Sequence, residues 1–419
     1  MIKLLIIADD FTGGLDTGVQ FAAKGIRTRV VTDPDTDYVS AADGAEVLVV
    51  VAETRHMPAY KAYDMVYRVA LEGRRLNVPP VYKKTDSGLR GNIGAELSAV
   101  MDAYGEKRMA FLPSMPSMGR ITRNGVHYVD GQPVNQSVFG RDPFEPVTES
   151  DVIRLLALQT PVKARSVTWD SLPESGEGFL IVDAETDEDL RKAGERLAAS
   201  GRLRVTAGCA GFASVLPELL GLAVGEPPRI PKLDDGLFIL CGSVNPITLR
   251  QLDYAELNGF TRLHIAPEQK LEAGYFETED GLRTLGEWRD AIDACPWLIL
   301  DANDAGRDNA DTAAYAAKRG MSTEELRSGI SSALGVILPE MLKARTARTM
   351  LITGGDTLLQ CMDRMRVHHM EPLLEIFQGV VLSRFEAMGH ARFVITKSGG
   401  FGEETLMADL KRLIEEQYR

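Results

Sequence analysis

The stretch Lys3-Leu4-Leu5-Ile6-Ile7-Ala8-Asp9-Asp10-Phe11-Thr12-Gly13-Gly14-Leu15-Asp16 reads as a strand, a glycine turn and a helix entered near Asp16. Lys3 to Ala8 is a short apolar run closed by acidic residues, the form of a strand buried on both faces. Runs of the same form recur at Val47 to Val51, Met109 to Leu112, Phe179 to Val182, Leu237 to Leu240, Trp297 to Leu300, Met350 to Thr353 and Phe393 to Thr396. Each is bounded by glycine or a polar residue and followed by helical periodicity. Parallel strands need crossover helices, so the sequence predicts an α/β fold of mainly parallel sheets flanked by helices.

At 419 residues the chain exceeds the size at which a single core keeps growing, and two domains are expected. The break falls at Gly221 to Gly236, where prolines crowd Pro227, Pro228 and Pro231 before a new strand begins at Leu237. The expected division is 1–225, a linker over 226–236, and 237–419. His127-Tyr128-Val129 and Pro133-Val134-Asn135 flank Asp130-Gly131-Gln132 as a β-hairpin, and an irregular stretch follows from Phe139 to Pro146. No repeat of solenoid length is visible.

A net charge of −13, from 60 acidic and 47 basic residues, argues against a broad nucleic-acid or anionic-membrane surface. Anionic ligands would then need local positive charge or backbone amides, which gives weight to Lys83 and Lys84. Cys209, Cys241, Cys295 and Cys361 form no Cys-x-x-Cys pair and read as buried free thiols. His368 and His369 read as a solvated helix face rather than zinc ligands. The first apolar run is too short for a signal peptide, and no stretch approaches the roughly 18 apolar residues of a membrane span, so the expected location is the cytoplasm.

Ligands of open α/β sheets bind at the carboxyl ends of strands, which draws attention to four places. After the first strand, Asp9 and Asp10 would set oxygen acceptors over a cleft, for sugar hydroxyls or a metal; the plainer reading is that Asp16 caps the helix and Asp10 solvates a loop. Tyr82-Lys83-Lys84-Thr85-Asp86-Ser87-Gly88-Leu89-Arg90-Gly91-Asn92 mixes cations, a carboxylate and hydroxyls around glycines, the mixture a hydroxy-acid site needs. Thr353-Gly354-Gly355-Asp356-Thr357 and Thr396-Lys397-Ser398-Gly399-Gly400-Phe401-Gly402 each read as strand, glycine turn, helix, exposing amides where phosphates are commonly held. Cys241-Gly242-Ser243 is a weaker copy of that device. None of these is a P-loop or a dinucleotide fingerprint, and Ser243 and Ser398 have no histidine in a nucleophile arrangement.

Ala8-Asp9-Asp10-Phe11-Thr12-Gly13, Lys84 to Asn92, Pro113-Ser114-Met115-Pro116 with Gly119-Arg120, Gly354 to Thr357, and Lys397 to Gly402, in this order, resemble the motifs of four-carbon acid sugar kinases. The resemblance implies an N-terminal substrate domain, a C-terminal nucleotide domain and an active site in the cleft between them. It carries substrate contacts to Asp10, to Arg55 in Glu53-Thr54-Arg55-His56, and to Lys84, Thr85, Asp86 and Ser87. Nucleotide contacts fall on Ser243, on Gly354, Gly355, Asp356 and Thr357, and on Lys397, Ser398, Gly399, Gly400 and Gly402. Gly88 departs from the pattern, standing where many members carry threonine.

The reaction so implied uses ATP with Mg²⁺ to phosphorylate a terminal hydroxyl, converting D-threonate to 4-phospho-D-threonate, with D-erythronate or 3-oxo-tetronate as alternative substrates. Arg55 and Lys84, with Arg90 as a further candidate, would hold the carboxylate, while Asp10 and Asp86 orient hydroxyls and one of them takes the proton. Asp356 at a helix start would bind Mg²⁺ through water. From other classes, an NAD-dependent hydroxy-acid dehydrogenase lacks its fingerprint, and a non-catalytic binding protein leaves three phosphate-type turns unexplained. The expected partners are a small sugar acid and ATP, with no nucleic acid and no membrane; a homo-oligomer is compatible with the sequence.

Overall fold

The computed structural model describes residues 1–78, 80–142, 145–306, 309–397 and 400–419. The chain divides into two compact units, Met1–Pro228 and Arg229–Arg419. Strands of the first unit are β1 (Leu4–Ala8), β2 (Thr28–Val31), β3 (Val47–Val51), β4 (Val81–Lys84), β5 (Arg108–Leu112), β6 (Arg120–Arg123), β7 (Val126–Val129), β8 (Gln132–Pro133), β9 (Ala164–Val167), β10 (Gly178–Val182) and β11 (Val205–Gly208). Those of the second are β12 (Leu237–Cys241), β13 (Thr261–His264), β14 (Trp297–Asp301), β15 (Thr349–Thr353), β16 (His369–Phe377), β17 (Val380–Ala387) and β18 (His390–Lys397).

In the first unit eight strands pair in the order β2-β3-β1-β4-β11-β5-β10-β9, every pair parallel. All five residues of β1 are buried, because helices cover both faces and leave no solvated side to alternate with. The chain lays β2 and β3 on one side of β1 and then crosses to place β4 on the other, so the topological switch point lies at β1. The second unit repeats the move: β13 and β14 on one side of β12, β15 on the other, all parallel. It then adds β18 parallel to β15, with β17 and β16 antiparallel at the end. The antiparallel pair escaped sequence reading, since β16 alternates buried and half-buried residues and shows no continuous apolar run.

Three local expectations are corrected. The first helix spans Phe11–Ala22, and its cap is Asp10, whose side chain accepts from the Gly13 N–H; Asp16 lies inside the helix. Lys83 does not share a face with Lys84: strand alternation turns it the other way, where it is wholly buried against Glu96 at 2.8 Å. His369 opens β16 and His368 is exposed just before it, so the pair lies at a strand rather than on a helix.

The hairpin is tighter than the sequence suggested. Asp130 and Gly131 both have positive φ, 50° and 78°, and Val129 pairs with Gln132, which makes a two-residue primed turn. β6 pairs antiparallel with β7 to complete a small sheet that follows β5. From it a buried polar chain runs back to the first unit's main loop. His127 Nε2 lies 3.0 Å from the Ser87 carbonyl and Nδ1 lies 3.0 Å from Thr122 Oγ1, which also receives the Ser114 hydroxyl at 3.0 Å. A carbonyl only accepts, so the proton sits on Nε2 and Nδ1 accepts from Thr122.

Burial pushes the His127 imidazole down from 6.5 to about 4. Unfolded chains take up this proton near pH 6.5, which the folded chain refuses until about 4, so the stability this group contributes is full above 6.5 and is lost as pH falls toward 4. At roughly 1.4 kcal/mol per pH unit the loss is about 3 kcal/mol. Urea unfolding of the natural chain should therefore weaken more steeply between pH 7 and pH 4.5 than that of His127→Gln; parallel pH dependences would contradict the buried neutral imidazole.

Candidate functional site

The carboxyl ends of β3, β1 and β4 are neighbours in the sheet, and each is followed by a charged residue of the predicted acid site. Arg55, after β3, donates from Nε and Nη2 to Asp9 Oδ2 at 2.9 and 2.7 Å, and from Nη2 to Asp10 Oδ1 at 2.6 Å. The same guanidinium lies 3.5 Å from Asp86 Oδ1. Lys84, the last residue of β4, places Nζ 3.3 Å from Asp9 Oδ1 and 3.9 Å from Asp10 Oδ1. A Cβ on Gly13 would run into Lys84 Nζ and Asp10 Oδ1, so glycine is required there for the lysine to reach the aspartates.

Asp86 is held from its own loop. Its carboxylate accepts from Arg90 Nε at 2.9 Å and Nη2 at 3.0 Å, and from the N–H groups of Gly88 and Arg90 at 3.1 and 3.2 Å. Arg90 Nη1 continues to Asp142 Oδ2 at 3.0 Å. Burial would raise the Asp86 pKa, but Arg90 and Arg55 overcome it and hold the carboxyl well below its ordinary range. Asp9 follows the same logic: burial raises it, and Arg55, Lys84 and Lys83 together bring it below its usual value. Lys84 is pushed down by burial and pulled further up by Asp9 and Asp10, so it stays charged.

Of the predicted acid-site residues, Asp10, Arg55, Lys84, Asp86 and Arg90 meet in this one cluster. Ser87 is partly exposed beside them, whereas Thr85 is wholly buried with its N–H on the Gly208 carbonyl. The Gly88 departure has a local cause: a Cβ there would strike the Phe139 ring. Sequence reasoning gave Asp9 a place as an oxygen acceptor beside Asp10 but no specific contact, and passed over Arg120, His127, Phe139 and Asp142. Arg120 had a signal, lying in the Gly119-Arg120 motif; Phe139 and Asp142 sat in a stretch without periodicity.

In the second unit, β12, β15 and β18 are adjacent and their carboxyl ends carry the predicted nucleotide turns. The Gly242-Ser243 and Gly354 turns touch, since a Cβ on Gly354 would lie 3.7 Å from the Ser243 N and one on Gly242 would collide with Thr357 Oγ1. Gly354 has φ 104°, a conformation that favours glycine, and the helix Gly355–Arg364 begins with no side chain capping its amides. Those first-turn N–H groups are suited to an anion. By contrast the helix Pro246–Leu257 after Ser243 is capped by Asn245, which accepts from Ile247 N–H at 2.9 Å.

Lys397 is buried at the end of β18, with Nζ 3.0 Å from Thr248 Oγ1. Burial lowers its pKa to about 8, leaving it mainly charged at neutral pH. Ser398 and Gly399 lie outside the described residues. The expected strand, glycine turn and helix does not hold here: the next helix, Leu406–Glu416, starts four residues beyond Gly402. Instead Gln251 Nε2 donates to the carbonyls of Phe401, Gly402 and Glu403 and fixes the loop. Asp356 turns toward Arg327, 3.7 Å away. Gln251 and Thr248 carried no sequence signal, being helix residues distant in the chain from the loop they hold.

Two family models match the chain: a sugar-binding N-terminal domain over residues 4–216 and a nucleotide-binding C-terminal domain over 238–407. A D-threonate kinase of Salmonella typhimurium is 30% identical, with 100% of this chain and 99% of the relative aligned. A D-erythronate kinase of Heliobacterium modesticaldum is 28% identical over 96% of this chain and 94% of its own, and a 3-oxo-tetronate kinase of Methylobacterium radiotolerans 26% over 96% of each. A solved Haemophilus influenzae structure shares the fold, with TM-score 0.70 and 19% identity over 98% of this chain and 100% of that one. Matched from end to end by kinases of one kind and by both of their domain models, the chain belongs to the four-carbon acid sugar kinase family and is a phosphotransferase.

Proposed function

We propose that the enzyme transfers the γ-phosphoryl group of ATP to the terminal hydroxyl of D-threonate, giving 4-phospho-D-threonate. The observation that carries the acid side is the cluster in which Arg55 and Lys84 face Asp9 and Asp10 at the carboxyl edge of β1. The choice of threonate follows the full-length likeness to the Salmonella typhimurium D-threonate kinase. Phosphoryl transfer asks for alignment and charge neutralisation more than for covalent chemistry. Arg55 and Lys84 attract the carboxylate, and Asp10 and Asp86 fix the orientation of the hydroxyls.

Asp10 is the better proton acceptor of the two. Both oxygens of Asp86 are engaged by Arg90 and backbone amides, and its carboxyl is held so far down that it takes a proton reluctantly. Every side-chain hydrogen bond that Asp10 makes among the described residues uses Oδ1. On the nucleotide side, the uncapped amides at Gly355, the Ser243 turn and Lys397 receive the phosphates. Mg²⁺ neutralises phosphate charge when bound. No group of three or more His, Cys, Asp or Glu among the described residues would cage a metal, which fits an ion held mainly by phosphates and water. Asp356, its side chain 39% exposed, is the residue that would hold it through water.

A screen of four-carbon acids by ATP consumption should give D-threonate the highest kcat/KM; a higher value for D-erythronate or 3-oxo-tetronate would replace the substrate. Threitol, which lacks the carboxylate, should fall roughly 10- to 100-fold below threonate, the loss of charged hydrogen bonds. The loss stops short of total because Asp9 and Asp10 already give Arg55 and Lys84 their counter-charge.

Asp10→Asn keeps a helix cap while removing the base, and should lower kcat by about 10²- to 10⁴-fold. Asp86→Asn should act mainly on KM for the acid; the reverse pattern would exchange their roles. Among the described residues nothing lies within 4 Å of a Cβ placed on Gly400, so Gly400→Ala is tolerated by the free protein. It should raise KM for ATP about tenfold, the order of one lost amide contact to a charged group, without changing KM for the acid. Unchanged kinetics in this variant would remove Gly400 from the nucleotide site.

A further inference from the structure

We propose that Arg120 and His127, both on the small β6–β7 sheet, are positioning residues that aim the Ser87 hydroxyl at an oxygen of the acid substrate. The inference rests on the acid-site reading given above and extends it to residues outside the Lys84–Arg90 loop.

Arg120 Nη1 lies 2.5 Å from Ser87 Oγ. A guanidinium has donors and no acceptors, so the serine oxygen accepts from it and the serine proton must point elsewhere. Ser87 is partly exposed beside Asp86, where a ligand oxygen would meet that proton. The main chain of the same residue is fixed independently by His127 Nε2, which donates to the Ser87 carbonyl at 3.0 Å. Because Nδ1 accepts from Thr122, whose oxygen accepts from Ser114, every proton in the chain Ser114, Thr122, His127, Ser87 has one direction. Thr122, His127 and Ser114 are wholly buried, so water does not compete for these bonds.

Arg120 also has an aromatic neighbour. Its guanidinium carbon lies 5.3 Å from the centroid of the Phe139 ring, which also receives Arg90 at 5.1 Å. Burial lowers the Arg120 pKa against the pull of the Asp86 carboxylate, so a cation is kept there at a desolvation cost. A cation there does something an amide does not: it polarises the hydroxyl it donates to and strengthens that hydroxyl as a donor toward an anion.

The test is a mutant cycle with the four-carbon acid the enzyme turns over fastest. Ser87→Ala and Arg120→Met should each lower kcat/KM for the acid roughly 10- to 100-fold. KM for ATP should stay within about twofold, as expected when only acid contacts change. Ser87→Ala/Arg120→Met should be no worse than the poorer single variant, because the arginine acts through the serine. His127→Gln, whose amide keeps a donor, should recover most of what His127→Leu loses. Multiplying losses in the double variant would overturn the proposal, as would equal activity of the His127→Gln and His127→Leu chains. If His127→Leu fails to fold, the Ser87 and Arg120 cycle decides alone. Full activity of Ser87→Ala with Asp10→Asn still impaired would overturn this inference and leave the acid site standing. Full activity of both variants would overturn the acid-site reading as well.

Discussion

The guanidinium of Arg55 is the tie on which the proposed acid site depends. It reaches two consecutive carboxylates after β1, lies within 3.5 Å of a third after β4, and itself hangs from the end of β3. Strand ends in a parallel sheet are fixed by pairing only as far as the last ladder bond; beyond that the chain is a loop. Arg55 ties three such loops together within four residues of their strand ends, and its planar fork does so in one orientation. Lysine at the same place would satisfy the charge and lose the geometry.

Such a cluster is a poor way to stabilise a protein. Replacing buried ion pairs by well-packed apolar groups is often neutral or stabilising, while removing one partner typically costs 3–5 kcal/mol because the other is left buried and charged. Arg55, Asp9, Lys84 and Asp86 are nearly sequestered, with side chains about a tenth exposed or less. The arrangement makes sense as preorganisation: charges that a substrate would otherwise have to order are already aligned, and cations and carboxylates balance before it arrives. The Lys83–Glu96 pair on the opposite face of β4 has no such opening and reads as structural.

The main strands were legible because parallel strands covered on both faces are written as continuous apolar runs, and Val47–Val51 matches its run residue for residue. Strands such as β4 were not, since Val81-Tyr82-Lys83-Lys84 ends in two lysines that are buried only because Glu96 and the Asp9-Asp10 pair accept them. Local spacing cannot show a partner supplied by another element. The same limit hid His127, whose role comes from Ser87, forty positions away, and Gln251, which holds a loop about 150 positions downstream. Both aspartates were read as acceptors at a strand end, but the resemblance carried a contact to Asp10 alone, although the arginine grips Asp9 with two nitrogens.

The two units begin with the same strand order, which separates what the fold decides from what the residues decide. β1 and β12 each stand at a switch point, with the next two strands of the chain on one side and the third on the other, so each opens a crevice at its carboxyl end. After β1 the chain continues with Asp9-Asp10; after β12 it continues with Gly242-Ser243. The first pair fills the crevice with carboxylates and recruits cations to balance them, giving a surface of alternating charge that suits hydroxyls and a carboxylate together. The second leaves the crevice to backbone, and Gly242 is small because Thr357 of the neighbouring turn occupies the space a side chain would need. Amides and one buried lysine then face whatever enters, which suits phosphate. On the proposed reading one topology supplies two ligand positions, and two residues at each strand end determine which ligand belongs there.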